Sequence, residues 1–161
     1  MAKRNQDPRK AAMRKMMGEF LKENDISLKD GADINSLMRE MMSALIEETL
    51  DGELDEKLGY GPYDYENKET DNSRNGHSKK TMHTSYGDME VDIPRDRKGE
   101  YSPQLIPKYA TTLTNDMEEK ILSMYAKGMT TGDIESHMKE LYGVNISDSS
   151  ISGMIRSVMR L

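Results

Sequence analysis

The sequence predicts a mainly α-helical protein with a small β-hairpin, and three observations lead to that fold class. Apolar residues recur at helical spacing before residue 59, two alternating runs meet at a Gly-Asp pair, and three short amphipathic segments with glycine turns follow. We therefore expect N-terminal amphipathic helices, a central basic hairpin and a C-terminal helix-turn-helix-like three-helix unit. The corresponding regions are 1–58, 59–109 and 110–161.

Two helices are expected in the first region. The shorter runs from Pro8 to Asn24, and the longer from Asp33, as N-cap, to Leu58, where Gly59 stops it. One apolar stripe is expected along the longer helix: Ile34, Leu37, Met38, Met41, Leu45, Ile46, Leu50, Leu54 and Leu58. The stripe is longer than a small hairpin could cover, which predicts a homodimer or larger assembly through this helix. The alternative is packing on the first helix or on the hairpin within one chain.

The hairpin is expected to combine the runs Thr81–Tyr86 and Met89–Ile93 around a tight Gly87-Asp88 turn. This turn would pair Tyr86 with Met89, Thr84 with Val91 and Met82 with Ile93, placing the apolar side chains on one face. Pro94 is expected to end the second strand.

Basic turns flank the hairpin at both ends, and cations on a rigid frame suit the phosphates of an anionic polymer. The candidate DNA-binding residues there are Arg74, Lys79, Lys80, Arg95, Arg97 and Lys98. The alternative is an ordinary solvated surface.

Each of the last three helices has cap signals. Asn115 with Glu118 begins the first, Thr130 with Asp133 the second, and Ser147 the third. Gly128 and Gly143 end the first two. The last helix is the candidate recognition helix because small hydroxyl residues near its start allow close approach to DNA, and an arginine there could reach a guanine. Its candidate residues are Ser149, Ser150, Ser152 and Arg156. The alternative is a surface that only caps and solubilises the unit.

Composition limits the other function classes. The 161 residues are 35% hydrophobic and 32% charged, which disfavours one large core. The absence of cysteine excludes disulfides and thiolate metal sites, and no signal peptide or membrane-length apolar run is present, so a cytoplasmic, nucleoid-associated protein is expected. The net charge of −6 conceals an uneven distribution, since residues 1–24 carry +4 and residues 25–65 carry −8. The local field, not the sum, governs phosphate binding.

No residue is assigned to catalysis or to metal binding. Glu47, Glu48, Asp51 and Asp55 are interpreted as a solvated helix face, and Asp92 as a structural residue on the polar face of the hairpin. The three histidines lack ligand spacing, and no nucleotide-binding glycine loop is present.

Residues 73–109, SRNGHSKKTMHTSYGDMEVDIPRDRKGEYSPQLIPKY, resemble the N-terminal signature of Mutator-type bacterial insertion-sequence transposases. The preceding KLGYGPYDY and the helical segment from Asn115 resemble the same family, although His77 replaces a more usual aromatic residue. The resemblance implies binding of double-stranded DNA at terminal inverted repeats. It also implies a ribonuclease-H-like core in which three carboxylates hold two divalent ions, expected to be Mg²⁺. We expect that core to lie beyond Leu161, so this chain alone should be inactive in DNA cleavage.

Two other functions fit the same residues. One is a free-standing helix-turn-helix regulator, whose target would be a promoter palindrome instead of inverted-repeat ends. The other is an interaction module that pairs with a full-length transposase and inhibits it, which predicts self-association without strong DNA affinity.

Overall fold

The computed structural model describes residues 7–112 and 116–159. Within these ranges the protein forms five α-helices, a short 3-10 helix at Tyr65–Asn67 and one two-stranded antiparallel sheet, which confirms the predicted fold class. The chain divides into two compact units, Met1–Ile34 and Asn35–Leu161. No helix in the described ranges combines the length and apolarity that crossing a bilayer requires.

Helix α1 spans Pro8–Glu23, one residue shorter than predicted. Asp7 caps its start by accepting the N–H of Arg9 (3.0 Å), and proline at the first helical position needs no N–H partner. None of the helix residues is buried. The helix is therefore stabilised only by its own hydrogen bonds and caps, and such a helix of 16 residues is marginally stable in water.

Helix α2 spans Gly31–Leu58 and begins two residues earlier than predicted. Asp30 is the capping residue, because its Oδ1 accepts the N–H of Asp33 (3.0 Å). Asp33 lies in the first turn, where its carboxylate accepts the N–H of Lys29 (2.9 Å). The predicted end at Gly59 is confirmed by its left-handed φ of +81°.

The apolar residues of α2 form two stripes on opposite faces, not the single stripe predicted. The inner stripe is buried and consists of Ile46, Leu50, Leu54 and Leu58. Ile46 and Leu50 pack in a cluster with the hairpin residues Met82, Met89 and Val91. Leu54 and Leu58 form a second cluster with Tyr60 and the half-buried Tyr101, so packing within the chain accounts for this stripe. The outer stripe consists of Ile34, Met38, Met41 and Leu45. Leu45 is 69% exposed and Ile34 is 50% exposed.

Strands β1 (Arg74–Thr84) and β2 (Gly87–Asp96) pair in a register that differs from the prediction. Thr84 pairs with Gly87 and Met82 with Met89, so Ser85 and Tyr86 are the central turn residues. The slip is four residues along β2. An even slip leaves each side chain on its predicted face, and the predicted apolar face is indeed buried at Met82, Met89 and Val91.

Two local features explain the difference. Gly87 has φ +114°, and a Cβ there would lie 2.9 Å from Arg39 Nη1, so this glycine allows α2 to approach the turn. Pro94 does not end β2. Its nitrogen points away from β1, as the N–H of Asp92 two residues earlier does, so the proline removes no hydrogen bond between the strands. The predicted basic turn from Arg74 to Lys80 is likewise part of a strand.

The C-terminal unit consists of α3 (Asp116–Ala126), α4 (Thr131–Tyr142) and α5 (Asp148–Met159). Thr130 Oγ1 accepts the Asp133 N–H (3.1 Å), Gly143 is left-handed and Ser147 Oγ accepts the Ser150 N–H (3.2 Å), which confirms these caps. The predicted cap residue Asn115 lies outside the described residues. The eight buried core residues are Met117, Ile121, Ile134, Met138, Val144, Ile146, Ile151 and Ile155.

Candidate nucleic-acid interface

A row of polar side chains on α2 follows the hairpin from its tip to its open end. This polar ladder has a spacing of four residues and comprises Arg39, Ser43, Glu47, Asp51 and Asp55. Arg39 binds the carbonyl of the turn residue Tyr86 (2.6 Å). Ser43 and Glu47 bind outward backbone groups of β2, the Glu90 carbonyl (2.8 Å) and the Asp92 N–H (3.0 Å). The last two bind the β1 side chains of His77 and Arg74. The ladder covers a strand edge that would otherwise be open.

The interpretation of these acidic residues as a solvated helix face was therefore wrong for Glu47, Asp51 and Asp55. Glu53 also binds protein, since its carboxylate accepts the Tyr101 hydroxyl (2.8 Å) and the N–H groups of residues 104 and 105. Polar residues four positions apart line one face of a helix whether that face contacts a strand edge or solvent, so the sequence pattern alone did not distinguish the two environments.

Arg74 lies inside this framework and is not free to bind a phosphate. Its guanidinium pairs with Asp55, donates to the Tyr60 carbonyl (2.5 Å) and stacks over the Tyr60 ring at 4.8 Å. A second donation reaches the Gly61 carbonyl (3.5 Å). These contacts within the protein occupy the N–H donors with which an arginine would otherwise bind a phosphate. The side chain holds the loop after α2 against the start of β1.

The three lysines of the predicted set are held to different degrees. Lys80 Nζ donates to the Pro107 and Lys108 carbonyls (3.3 and 3.1 Å), and burial lowers the pKa of Lys80. Lys98 lies 2.5 Å from Asp71, whose hydrogen bond raises the pKa of Lys98. Lys79 lies 3.9 Å from Glu90 with both side chains about three-quarters exposed, a separation at which water and salt screen the attraction.

Arg95 and Arg97 are the unengaged cations of the predicted set. Both are exposed, and neither forms a salt bridge within the described residues. The Arg95 guanidinium lies beside Gly76 of β1, and the backbone N–H of Arg97 donates to the Ser73 carbonyl (2.8 Å). We group them with the exposed Lys79, which lies midway along β1, and call the three residues the open-end cations of the hairpin.

A buried carboxylate fixes the turn that carries Arg97. Asp96 Oδ2 accepts the Asn72 amide (2.8 Å) and the Glu100 N–H (2.7 Å), while Oδ1 accepts the Tyr101 N–H (3.2 Å). Asn72 in turn accepts the N–H of Lys98 (3.1 Å). Sequence analysis missed this network, because one Asp among acidic neighbours carries no signal of burial.

The Asp96 network predicts acid sensitivity. Burial alone raises the pKa of Asp96, but the donors from Asn72, Glu100 and Tyr101 outweigh it and hold that pKa below its ordinary value. A depressed folded-state pKa stabilises the protein above the unfolded value of about 3.9, and this stabilisation is lost as pH falls through the lower folded value. We expect Asp96→Asn to cost about 1–3 kcal/mol at pH 7 and to flatten the stability profile below about pH 4. Urea melts from pH 2 to 7 measure this, with the exposed Asp92→Asn as control. Parallel profiles for unmutated and Asp96→Asn proteins would contradict it.

The hairpin tip is bonded to the three-helix unit. Asp88 Oδ1 lies 2.6 Å from His83 Nδ1, and its Oδ2 accepts the N–H of Asn145 in the loop between α4 and α5 (3.0 Å). Lys120 of α3 also reaches the Ser85 hydroxyl (3.4 Å). Because Asn145 lies three residues before the start of α5, these contacts place that start next to the hairpin tip. No pattern in the sequence predicts these contacts.

The predicted recognition residues of α5 differ in their accessibility. Ser149 and Ser150 are exposed, but their hydroxyls lie 3.1 and 2.9 Å from Ser147 Oγ. Ser152 is half-buried. Arg156 is exposed and donates its Nε–H to the Ser152 carbonyl (3.3 Å), which leaves both Nη groups for a ligand.

Comparison with known proteins identifies the family. The family model described as "Transposase, Mutator family" matches residues 11–160. The chain belongs to the Mutator family of transposases. The Rhizobium meliloti transposase for insertion sequence element ISRM3 is 38% identical over 154 residues, 92% of this chain and 36% of the relative. The Lactococcus lactis transposase for IS905 is 34% identical over 125 residues, 78% and 32% of the two chains.

The chain spans about a third of the length of these Mutator relatives. The part of the chain that the structure describes has no group of three or more His, Cys, Asp or Glu residues arranged to hold a metal ion. The carboxylates that the family resemblance implies therefore remain unassigned here.

Proposed function

We propose that this Mutator-family chain binds the terminal inverted repeats of an insertion element and helps to assemble the transposase on them. The observation that carries the proposal is the bonded connection of the basic hairpin to the start of α5 through Asp88 and Asn145. When two DNA-binding elements are held rigidly together, the loss of rotational and translational freedom on binding a duplex is incurred once and not separately by each element.

The hairpin supplies the non-specific part of binding. Phosphate contacts by the open-end cations, Lys79, Arg95 and Arg97, would position the duplex without reading its sequence. Arg74, Lys80 and Lys98 belong to the predicted set, but their contacts within the protein give them a supporting role in the proposal.

Helix α5 supplies the specific part. Arg156 retains two Nη groups in the fork geometry that matches O6 and N7 of guanine in the major groove. Ser149 and Ser150 are small enough for the first turn of α5 to approach the backbone, where helix N–H groups favour a phosphate. The proposal covers DNA binding and assembly and assigns no Mg²⁺-dependent chemistry to the residues that the structure describes.

The outer stripe of α2 supplies the assembly surface. The inner stripe is already buried within the chain, whereas Leu45 is the most exposed large apolar side chain of α2. A helix with apolar residues on two opposite faces usually packs on both sides. A homodimer through the outer stripe would hold two element ends by symmetry.

Fluorescence anisotropy with the element's terminal inverted repeat tests the DNA-binding proposal. We expect the chain to prefer this duplex over a scrambled one, and Arg156→Ala to cost about 1–3 kcal/mol on the repeat with little change on the scrambled duplex. Arg156→Lys should recover only part of the preference, because lysine lacks the planar donor fork with which arginine matches O6 and N7 of guanine.

Three other outcomes would contradict the proposal. Preference for a promoter palindrome over the repeat ends would favour a free-standing regulator. Self-association without measurable DNA affinity would favour an inhibitory interaction module. Equal losses on both duplexes for Arg156→Ala would remove Arg156 from sequence recognition.

A further inference from the structure

The hairpin and the three-helix unit have separate apolar cores. The core of the unit consists only of residues from α3, α4, α5 and the loops between them. The core beneath the hairpin includes Ile46, Met82 and Val91 and takes no residue from these three helices. Among the described residues, therefore, no apolar cluster spans the two parts, and their relative orientation depends on polar contacts.

Two side-chain hydrogen bonds connect the parts within the described ranges, and no salt bridge there joins them. Asp88 Oδ2 accepts the Asn145 N–H at 3.0 Å, whereas Lys120 Nζ reaches the exposed Ser85 hydroxyl at 3.4 Å. The bond to Asp88 is the shorter of the two, and its acceptor is a half-buried carboxylate. A charge-assisted bond of this kind is stronger than a long contact to a surface hydroxyl.

His83 holds the Asp88 carboxylate in place. The two residues lie directly opposite each other in the hairpin, and His83 Nδ1 is 2.6 Å from Asp88 Oδ1. An ionised carboxylate only accepts, so Nδ1 carries the hydrogen of this bond. The side chains are 12% and 21% exposed, so water competes little for the contact. The backbone N–H of His83 also donates to the Thr111 carbonyl (2.8 Å), which fixes the segment that leads to α3.

The turn beside this pair is a rigid anchor. Arg39 of α2 donates to the Tyr86 carbonyl (2.6 Å). Thr84 Oγ1 donates to the Gly87 carbonyl (2.7 Å) and accepts the Tyr86 N–H (3.1 Å). A Cβ on Gly87 would lie 3.6 Å from the Tyr142 carbonyl oxygen, so the end of α4 lies against this turn. A change in the orientation of the three-helix unit would therefore occur at its contacts with the turn and not within the turn.

We propose that Asp88 and His83 are positioning residues for DNA recognition. The pair forms a latch that fixes the orientation of α5 relative to the hairpin, and neither side chain contacts DNA. Release of the latch leaves both parts folded but frees the three-helix unit to rotate, so the hairpin and α5 no longer meet one duplex in a fixed geometry. The inference rests on the proposed DNA binding and adds the residues that align its two elements.

Asp88→Ala tests the latch, because it removes both hydrogen bonds of the carboxylate. Cysteines introduced at the exposed Thr81 and Glu140 carry spin labels at those two positions only, since the chain has no cysteine of its own. Pulsed electron–electron resonance should give a narrow distribution of label distances without Asp88→Ala and a broad one with it. The core amides of Ile121 and Ile151 should keep their protection from hydrogen exchange, which shows that the unit remains folded.

Fluorescence anisotropy with the terminal inverted repeat measures the effect on binding. Asp88→Ala should weaken binding to the repeat roughly tenfold, although the loss of a negative charge by itself favours a polyanion. Asp92→Ala is the matched control, because it removes the same charge from an exposed position on the same face of β2. It should bind no more weakly than the unmutated chain.

Replacement of His83 separates its role from that of Asp88. His83→Leu should reproduce the broad distance distribution and the loss of affinity. His83→Asn should restore most of both, because the side-chain amide of asparagine can donate to the Asp88 carboxylate as Nδ1 does. Equal behaviour of the two His83 variants would remove His83 from the latch.

The other results overturn the inference in distinguishable ways. A narrow distance distribution with Asp88→Ala would mean that other contacts orient the three-helix unit. A broad distribution with undiminished affinity would remove the positioning role, because orientation would then not matter for binding. If the unmutated chain does not bind the repeat, the proposed function fails together with the positioning role, whereas the distance distributions still decide whether Asp88 orients the unit.

Discussion

Replacing the open-end cations together, Lys79→Ala, Arg95→Ala and Arg97→Ala, should reduce the salt dependence of duplex binding by about 2.7 in the slope of log K against log salt. Each phosphate contact contributes about 0.9 to that slope, because it releases condensed counterions. The loss should be similar on repeat and scrambled duplexes, since phosphates carry no sequence information. Anisotropy titrations at four salt concentrations between about 50 and 200 mM give the slope.

A second triple variant separates local contacts from net charge. Lys57, Lys127 and Lys139 are exposed and lie outside the hairpin, so their replacement by alanine removes the same charge without touching the open end. We expect it to change the slope much less. Equal slopes for the two triple variants would mean that the hairpin makes no specific contacts with the phosphates.

Arg74 is excluded from this experiment because its removal would change the protein as well as the interface. Its alanine variant would leave Asp55 without its partner and the Tyr60 ring without its stacked guanidinium. Loss of binding in that variant would report a disturbed loop, not a lost phosphate contact.

Local signals predicted the C-terminal unit well, because caps depend on neighbours in sequence. Thr130 with Asp133, and Gly143 in the left-handed region, determine where α4 begins and ends whatever surrounds them. The same reasoning failed at the hairpin turn. Gly87 is left-handed as expected, but the approach of Arg39 to this glycine accompanies a different register.

The contacts that organise the candidate interface were not predictable from local patterns. The polar ladder joins residues some 20 to 50 positions apart, and its acidic members look like ordinary solvated residues in a helical pattern. Similarly, six Lys or Arg residues near the hairpin are equivalent in sequence. Their partners divide them, since Arg74, Lys80 and Lys98 are held within the protein while Arg95 and Arg97 are free of salt bridges in the described ranges.

The outer stripe of α2 was recognised in the sequence but merged with the inner one. The positions of Met41, Leu45 and Ile46 are compatible with one broad apolar stripe or with two narrow ones. Only the position of the hairpin, which buries Ile46 and leaves Leu45 exposed, distinguishes the two patterns. The distinction matters for assembly, because only an uncovered face can bind another chain.

Met41→Asp combined with Leu45→Asp should abolish the proposed dimer while the monomer remains folded. Each dimer would bury four carboxylates at an apolar contact, and an unpaired buried charge costs several kcal/mol, so we expect dissociation to increase at least about 100-fold. Leu45 is 69% exposed in the single chain, so its replacement removes little intramolecular packing. Leu45→Asp alone should therefore weaken the dimer without lowering the melting temperature of the monomer.

Met41→Leu combined with Leu45→Met is the matched control, because it keeps the apolar surface and nearly the same volume. Sedimentation equilibrium at about 50 μM, a concentration that populates any dimer with a micromolar dissociation constant, gives the mass of each variant. Far-UV circular dichroism confirms that the helices remain. A monomeric unmutated chain at that concentration, or a double-Asp variant that still dimerises, would show that the outer stripe of α2 is not an assembly surface.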